Sequence, residues 1–280
     1  MGQAYDPQAY WEQRLSPKLD ISTVGHARLG YAYNYWLYQA RFHALDRALR
    51  KLHVETHDAS VIDVGVGSGA WIPFWQKRGV REISGLDITA ASVSTLSQRY
   101  PNLRFYQGNI CADVSCIGEP ADIVTAFDIL FHVTEDVAFA QAGRNLAKMV
   151  KPGGLLFISD SFCKTGIGPF YHEYHRSYAA YAEMLTSNSM RTILVAPIFF
   201  TMTTTMCNRD SAKRLASFTL ACLQRVQRLN ARRWTAWLNH VIGASLCLVD
   251  SILAARLTTG PSLKVLVAKR IENDGRDQLS

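Results

Sequence analysis

From Ser60 onward the chain alternates short apolar runs with segments of helical spacing. The runs cover 60–64, 82–87, 103–107, 123–127, 155–160, 192–199 and 263–268. Their lengths and their β-branched and aromatic content predict strands. Between them, 70–77, 90–99 and 136–149 read as helices. Strands that are apolar throughout, rather than every second residue, need cover on both faces, so the pattern predicts a mostly parallel sheet between helical layers. Lys151-Pro-Gly-Gly154 should end one helix and lead into a strand, because proline cannot extend a helix and glycine tolerates the turn that follows. The expected fold is a doubly wound α/β sheet of seven strands.

Two regions stand outside this alternation. Residues 1–58 read as a helical lid region, with a Tyr10-Trp11 pair and an aromatic run from Tyr31 to Tyr38. Tyr31, Tyr35 and Tyr38 share one helical face and are expected in the core. Residues 209–258 also read as helical: Leu215, Phe218, Cys222, Val226 and Leu229 form one stripe, with Arg225, Arg228 and Arg232 off it. The sixteen uncharged residues 234–249 fall short of the ~20 that a membrane span needs, so a buried or capping helix is expected, or one lying on a surface. If 192–199 runs parallel and 263–268 returns antiparallel, their connection lies at the carboxyl edge of the sheet, where ligands bind. The expected organisation is therefore a lid at 1–58, a sheet core at 59–208 with 259–272, and a helical cap inserted at 209–258.

The chemistry concentrates in Val61-Ile-Asp-Val-Gly-Val-Gly-Ser-Gly69 and Gly85-Leu-Asp87. Glycines let the backbone pass close to a ligand, and a carboxylate at the next strand end can accept both hydroxyls of a ribose. The spacing is Gly-x-Gly-x-Gly followed by Ala70, whereas dinucleotide folds place the third glycine one residue later. With Asp63 ahead of it, the stretch resembles the first motif of class I S-adenosylmethionine-dependent methyltransferases. Gln107-Gly-Asn-Ile110 is similar to the family's third-strand end, although many members have aspartate at the Asn109 position. Residues 121–128 with Phe131-His132 resemble its fourth strand and loop, 146–154 its lead into the fifth strand, and 260–267 its closing strand.

The resemblance implies a Rossmann-like fold, S-adenosylmethionine as cofactor, and a binding set of Asp63, Gly65, Gly67, Gly69, Asp87, Ile88, Asn109, Ile110 and Phe127. Trp11 joins that set through the family's amino-terminal lid. Asp63 has two readings: it holds loop amides, or it meets the amino group of the methionyl moiety. An oxygen or amine acceptor can use a base that titrates near neutrality, which makes His132, His172 and His175 the catalytic candidates. Arg176 could hold an anionic acceptor or pair with Glu173. No carboxylate cluster for a metal is evident, and none is expected.

Charge narrows the partners. The net charge is +7, and eight cations against two acids between Arg209 and Leu257 supply +6 of it. That segment is a solvated face or the neighbour of an anionic substrate or surface. Nucleic acid is not expected, since the excess is local and no Asn-Pro-Pro-Tyr-like motif follows the fourth strand. Six scattered cysteines without Cys-x-x-Cys argue against a disulfide framework or structural zinc, and fit a cytoplasmic location. The amino terminus lacks an apolar signal core, so no export is expected. The expected function is methyl transfer to an oxygen on an apolar or aromatic small molecule of secondary metabolism. Two alternatives stay open: a lipid or prenylquinone acceptor met at a membrane through 209–258, and a non-catalytic cofactor-binding module.

Overall fold

β1 (Ser60–Val64) is buried at every position, as a strand covered on both faces must be. Around it the computed structural model, which describes residues 5–26, 29–203, 217, 221, 224 and 236–272, builds a sheet of seven strands. They are β1, β2 (Glu82–Asp87), β3 (Arg104–Gln107), β4 (Ala121–Phe127), β5 (Val150–Asp160), β6 (Met190–Pro197) and β7 (Lys264–Arg270). Their order is β3-β2-β1-β4-β5-β7-β6, with only β7 antiparallel to its neighbours. All seven expected strands form, and β6 has the polarity that the sequence argument assumed.

β5 starts earlier than expected. Val150 already pairs with Ala121, and the register then shifts before Leu155 meets Ile123. Lys151-Pro-Gly-Gly154 is thus a bulge inside the strand, with Gly153 at φ 76, rather than a turn ahead of it.

The helices are α1 (Pro7–Leu15), α2 (Ile21–Val24), α3 (Gly30–Lys51), α4 (Ile72–Gln76), α5 (Ala90–Arg99), α6 (Asp136–Met149), α7 (Tyr178–Thr186) and α8 (Ala236–Arg256). α7 was not expected, although Ser177 caps it by accepting the Ala180 N–H. Two apolar cores form on the two faces of the sheet. The face covered by α3 buries Leu37, Leu45, Trp71 and Trp75, and the other buries Leu146, Phe139 and Tyr181.

α8 packs along α3. Among the described residues it supplies the one stretch long and apolar enough to cross a membrane, 237–256, with a mean hydropathy of 1.6. Its Asp250 is buried and accepts the backbone N–H groups of Phe200, Thr201 and Met202 at 3.0, 2.8 and 3.2 Å. Trp36 donates to His240 at 3.2 Å from the α3 side. These bonds seat α8 against α3 and the chain leaving β6. The apolar stripe from Leu215 to Leu229 lies outside the described residues. Cys111, Cys116 and Cys247 are thiols while Cys163 is disulfide-bonded, a correction to the expectation of unpaired cysteines.

A candidate active site at the carboxyl edge of the sheet

The carboxyl ends of β1, β2 and β4 open into a cavity of about 370 Å³. Gly65, Gly67, Asp87, Ile88, Asn109, Ile110, Phe127, Trp11 and His132 all line it. The loop after β1 needs its glycines here. Gly65 and Gly67 sit at φ 70 and 49, and a Cβ on Gly65 would fall 2.3 Å from Ile129 Cδ1. A side chain at Gly65 would collide with Ile129, and one at Gly67 would press on Val24, 3.0 Å away; both neighbours wall the cavity.

Asp87 holds the loop and faces the cavity. Its Oδ2 accepts the Gly67 N–H at 2.8 Å, and its Oδ1 accepts the Thr89 N–H and hydroxyl at 2.9 and 2.7 Å. Burial raises its pKa, while the Thr89 and Gly67 donors pull the other way. A carboxylate offers about four acceptor positions, so capacity for a further donor remains.

Two residues of the expected set lie elsewhere. Gly69 (φ 72) does not line the cavity; its missing Cβ makes room for Leu96 of α5, 2.7 Å away. Asp63 lies beneath the loop, where its Oδ1 accepts the Thr125 hydroxyl at 2.6 Å and its Oδ2 has no partner. Burial above all, with Asp87 nearby, lifts its pKa to about 7 against the Thr125 donor.

Tyr38 corrects the expectation of a core tyrosine: it lines the cavity, while Tyr31 and Tyr35 are exposed. One turn on, Arg41 pairs with Asp128 at 2.6 Å, and Asp128 is itself held by the Ser159 hydroxyl. The pair fixes α3 to the end of β4. A tyrosine three residues before an arginine was the available signal.

The lid docks by polar contacts. Glu12 on α1 accepts the Ala90 and Ala91 N–H groups at 2.7 and 3.1 Å, satisfying the amino end of α5. Arg14 donates to the carbonyls of Thr23 and Gly25 and lies 5.0 Å over the Trp11 ring.

The three histidines separate. His132 lines the cavity between Trp11 and His172. Its Nδ1 lies 2.8 Å from the His172 carbonyl, which can only accept, so Nδ1 carries the proton and Nε2 keeps its lone pair. Burial lowers its pKa to about 4, partly opposed by that carbonyl. His172 stacks on Tyr10, with ring centroids 5.0 Å apart, and is not among the residues that line the cavity.

His175 does not reach the cavity. It is buried with Nδ1 2.6 Å from Asp160, whose other oxygen accepts the Tyr181 hydroxyl at 2.6 Å. Burial would lower its pKa, but Asp160 and Glu173 outweigh it and raise it to about 9. His175 is thus a structural residue here, stacked on Phe131. Among the described residues, His132, His172 and Glu173 do bring donor atoms within 4.8 Å of one another, a grouping the sequence did not suggest.

Arg176 pairs with Asp136 at 2.8 Å, not with Glu173. It also donates to the carbonyls of Val133 and Thr134 at 2.6 and 3.1 Å, and so ties the loop after β5 to the loop after β4. Arg176→Ala should lower stability by about 3 kcal/mol, since two carbonyls lose a charged donor in a buried setting. Urea unfolding measures it; a loss under ~1 kcal/mol would show that the tie carries little.

A family model described as a methyltransferase domain matches residues 61–154, the span that holds the glycine loop, Asp87, Asn109 and His132. A ubiquinone biosynthesis O-methyltransferase of Paraburkholderia xenovorans is 30% identical over 111 residues, 38% of this chain and 46% of that protein. One of the same name from Neisseria meningitidis serogroup C is 29% identical over 113 residues, again 38% and 46%. The chain thus spans about half the length of these curated relatives. The magnesium protoporphyrin IX methyltransferase of Synechocystis PCC 6803, solved with S-adenosylmethionine bound, superposes with a TM-score of 0.54 at 13% identity, over 96% of this chain and 100% of that one. The 1,6-didemethyltoxoflavin-N1-methyltransferase of Burkholderia thailandensis gives 0.50 at 15%, over 82% and 79%. Identities this low speak for the fold.

The donors suit a nucleoside with a polar tail: a side-chain-free cradle, a carboxylate with spare acceptor capacity, and an amide at Asn109. Residues 61–154 thus carry a methyltransferase domain, set in a seven-stranded sheet with the fold of solved S-adenosylmethionine-dependent methyltransferases.

Proposed function

We propose that the enzyme methylates an oxygen on a small, largely apolar or aromatic acceptor. The observation that carries this reading is a single cavity: the glycine loop and Asp87 form one part, and Trp11, Ile129 and His132 wall another. When bound, the cofactor supplies a methyl carbon to which the acceptor oxygen's lone pair bonds, while the C–S pair returns to sulfur and the acceptor's proton leaves to water.

The chain's own residues hold and orient. Asp87 accepts the ribose hydroxyls, Asn109 faces the adenine, and the Gly65–Gly67 backbone lets the tail of the cofactor lie close. Trp11, carried on the docked α1, shields the reacting atoms from water. His132 presents Nε2 to the acceptor's O–H and fixes the direction of the oxygen. In such a displacement most of the barrier is lowered by holding the partners in a near-attack geometry. The names of the curated relatives agree with an oxygen acceptor.

His132→Ala should therefore cut turnover by about 100-fold, the scale of a misplaced reacting atom, with S-adenosylhomocysteine affinity unchanged. Methyl-labelled cofactor offered to a set of phenols and matched anilines measures it. Wild-type turnover in the variant, or label on the anilines alone, would contradict the reading.

A second reading gives the acceptor a prenyl tail met at a membrane surface, and α8 favours it. Trp237 and Leu248 stand outward at 59% and 63% exposure, with Val241 and Ile252 beside them. Arg228, Arg232 and Arg233 precede the helix in sequence. Anionic vesicles should pellet the wild-type chain in a salt-sensitive way and release Val241→Ser/Leu248→Ser. Equal pelleting of the two would remove this reading.

A further inference from the structure

Two loops bring His132 together with two side chains, His172 and Glu173, that methyl transfer as drawn does not use. His132 comes from the loop after β4, and His172 and Glu173 from the loop after β5. One donor atom from each lies within 4.8 Å of the others. The approach is built into the backbone: the Tyr174 N–H donates to the Phe131 carbonyl at 2.6 Å, and Arg176 fixes the carbonyls of Val133 and Thr134.

The surroundings match those of metal-binding side chains. A ligating imidazole ordinarily gives its second nitrogen's proton to a carbonyl or carboxylate, which fixes the tautomer and turns the ring. His132 does so: its Nδ1–H is spent on the His172 carbonyl at 2.8 Å, leaving Nε2 as the donor. Glu173 lies with one oxygen 3.3 Å from His172 Nε2. Its other oxygen is 3.9 Å from Nε2 of His175, which has no hydrogen-bond partner of its own and is anchored by Asp160. A buried Asp160–His175 pair thus backs the carboxylate from behind.

We propose that His132, His172 and Glu173 form a site for a zinc-like divalent cation at the acceptor end of the cavity. Two imidazoles and one carboxylate suit zinc, whereas magnesium prefers an all-oxygen shell. Three protein ligands leave a position open, and one of the three, His132, lines the cavity. With the cation in place, Nε2 of His132 is a ligand instead of meeting the acceptor's O–H directly, and the acceptor's hydroxyl takes the open position. A bound oxygen loses its proton to water far more readily there, much as metal-bound water ionises near neutral pH. The lone pair that attacks the methyl carbon is then already free. The role given to the cation rests on the function proposed above; the site itself does not.

The test is calorimetric titration of the full chain with zinc chloride, with magnesium chloride as control, on wild type, His172→Ala and Glu173→Gln. We expect one zinc per wild-type chain, affinity lowered at least ~10-fold in each variant, and no response to magnesium. S-adenosylhomocysteine titrated into all three reports the cofactor half separately, and its failure would sink the methyl-transfer reading without touching this one. No zinc binding in wild type, or zinc binding retained in both variants, would overturn the proposal.

Discussion

Asp87→Ala is expected to weaken S-adenosylhomocysteine binding by about 100-fold while the chain stays folded. The carboxylate stands at the end of β2, where its oxygens already hold the Gly67 N–H and the Thr89 N–H and hydroxyl. Hydrogen bonds to a charged group contribute about 1.5–3 kcal/mol each, so losing the ribose contacts alone removes roughly 3 kcal/mol. The loop would also lose its anchor at Gly67, which loosens the cradle. Asp87→Asn should fall between the two, because one amide position donates where the carboxylate accepted. Calorimetry gives the affinities, and circular dichroism checks the fold. A change under about 5-fold, or ~1 kcal/mol, would mean that the acid serves only the loop.

Asp63→Asn is expected to stabilise the protein at pH 8 and to flatten its pH dependence. The buried carboxyl has a native pKa of about 7 against 3.8 for an ordinary aspartate. Between those values the native state holds a proton that the unfolded chain has released, so stability falls as pH rises through this window and stays low above it. About three units at ~1.36 kcal/mol each give a cost near 4 kcal/mol. Burial is the main cause, Asp87 adds to it, and the Thr125 hydroxyl opposes it. Asparagine keeps an oxygen for Thr125 and cannot ionise. Thermal melts should show the wild-type midpoint dropping from pH 5 to pH 8 and the variant's holding steady. Parallel curves would show that Asp63 is not the titrating group.

The sheet was legible because its central strands β1 and β4 are buried along most of their length, which writes a nearly unbroken apolar run into each. The glycine loop was legible because three alternate glycines mark a turn with little room for side chains, and Gly65 and Gly67 take positive φ there. Gly69 looked equivalent in spacing, but the chain turns it onto Leu96. The phase of α3 against the sheet, set by packing, decides that Tyr38 and not Tyr35 meets the cavity. The place of α8 depends on Asp250 binding amides fifty residues earlier, which no local pattern announces. Arg176 finds Asp136 rather than the nearer Glu173 for the same reason: two loops distant in sequence end at one edge of the sheet. His132, His172 and Glu173 meet there too, so their grouping is a property of the fold and not of any motif.

The central claim is that this cavity is an S-adenosylmethionine site rather than a dinucleotide site. Titrating the wild-type chain with S-adenosylhomocysteine, beside an identical titration with NAD, tests it most directly. One site per chain with micromolar affinity is expected for the first, and no heat from the second. Binding of NAD, or no binding of S-adenosylhomocysteine, would contradict it.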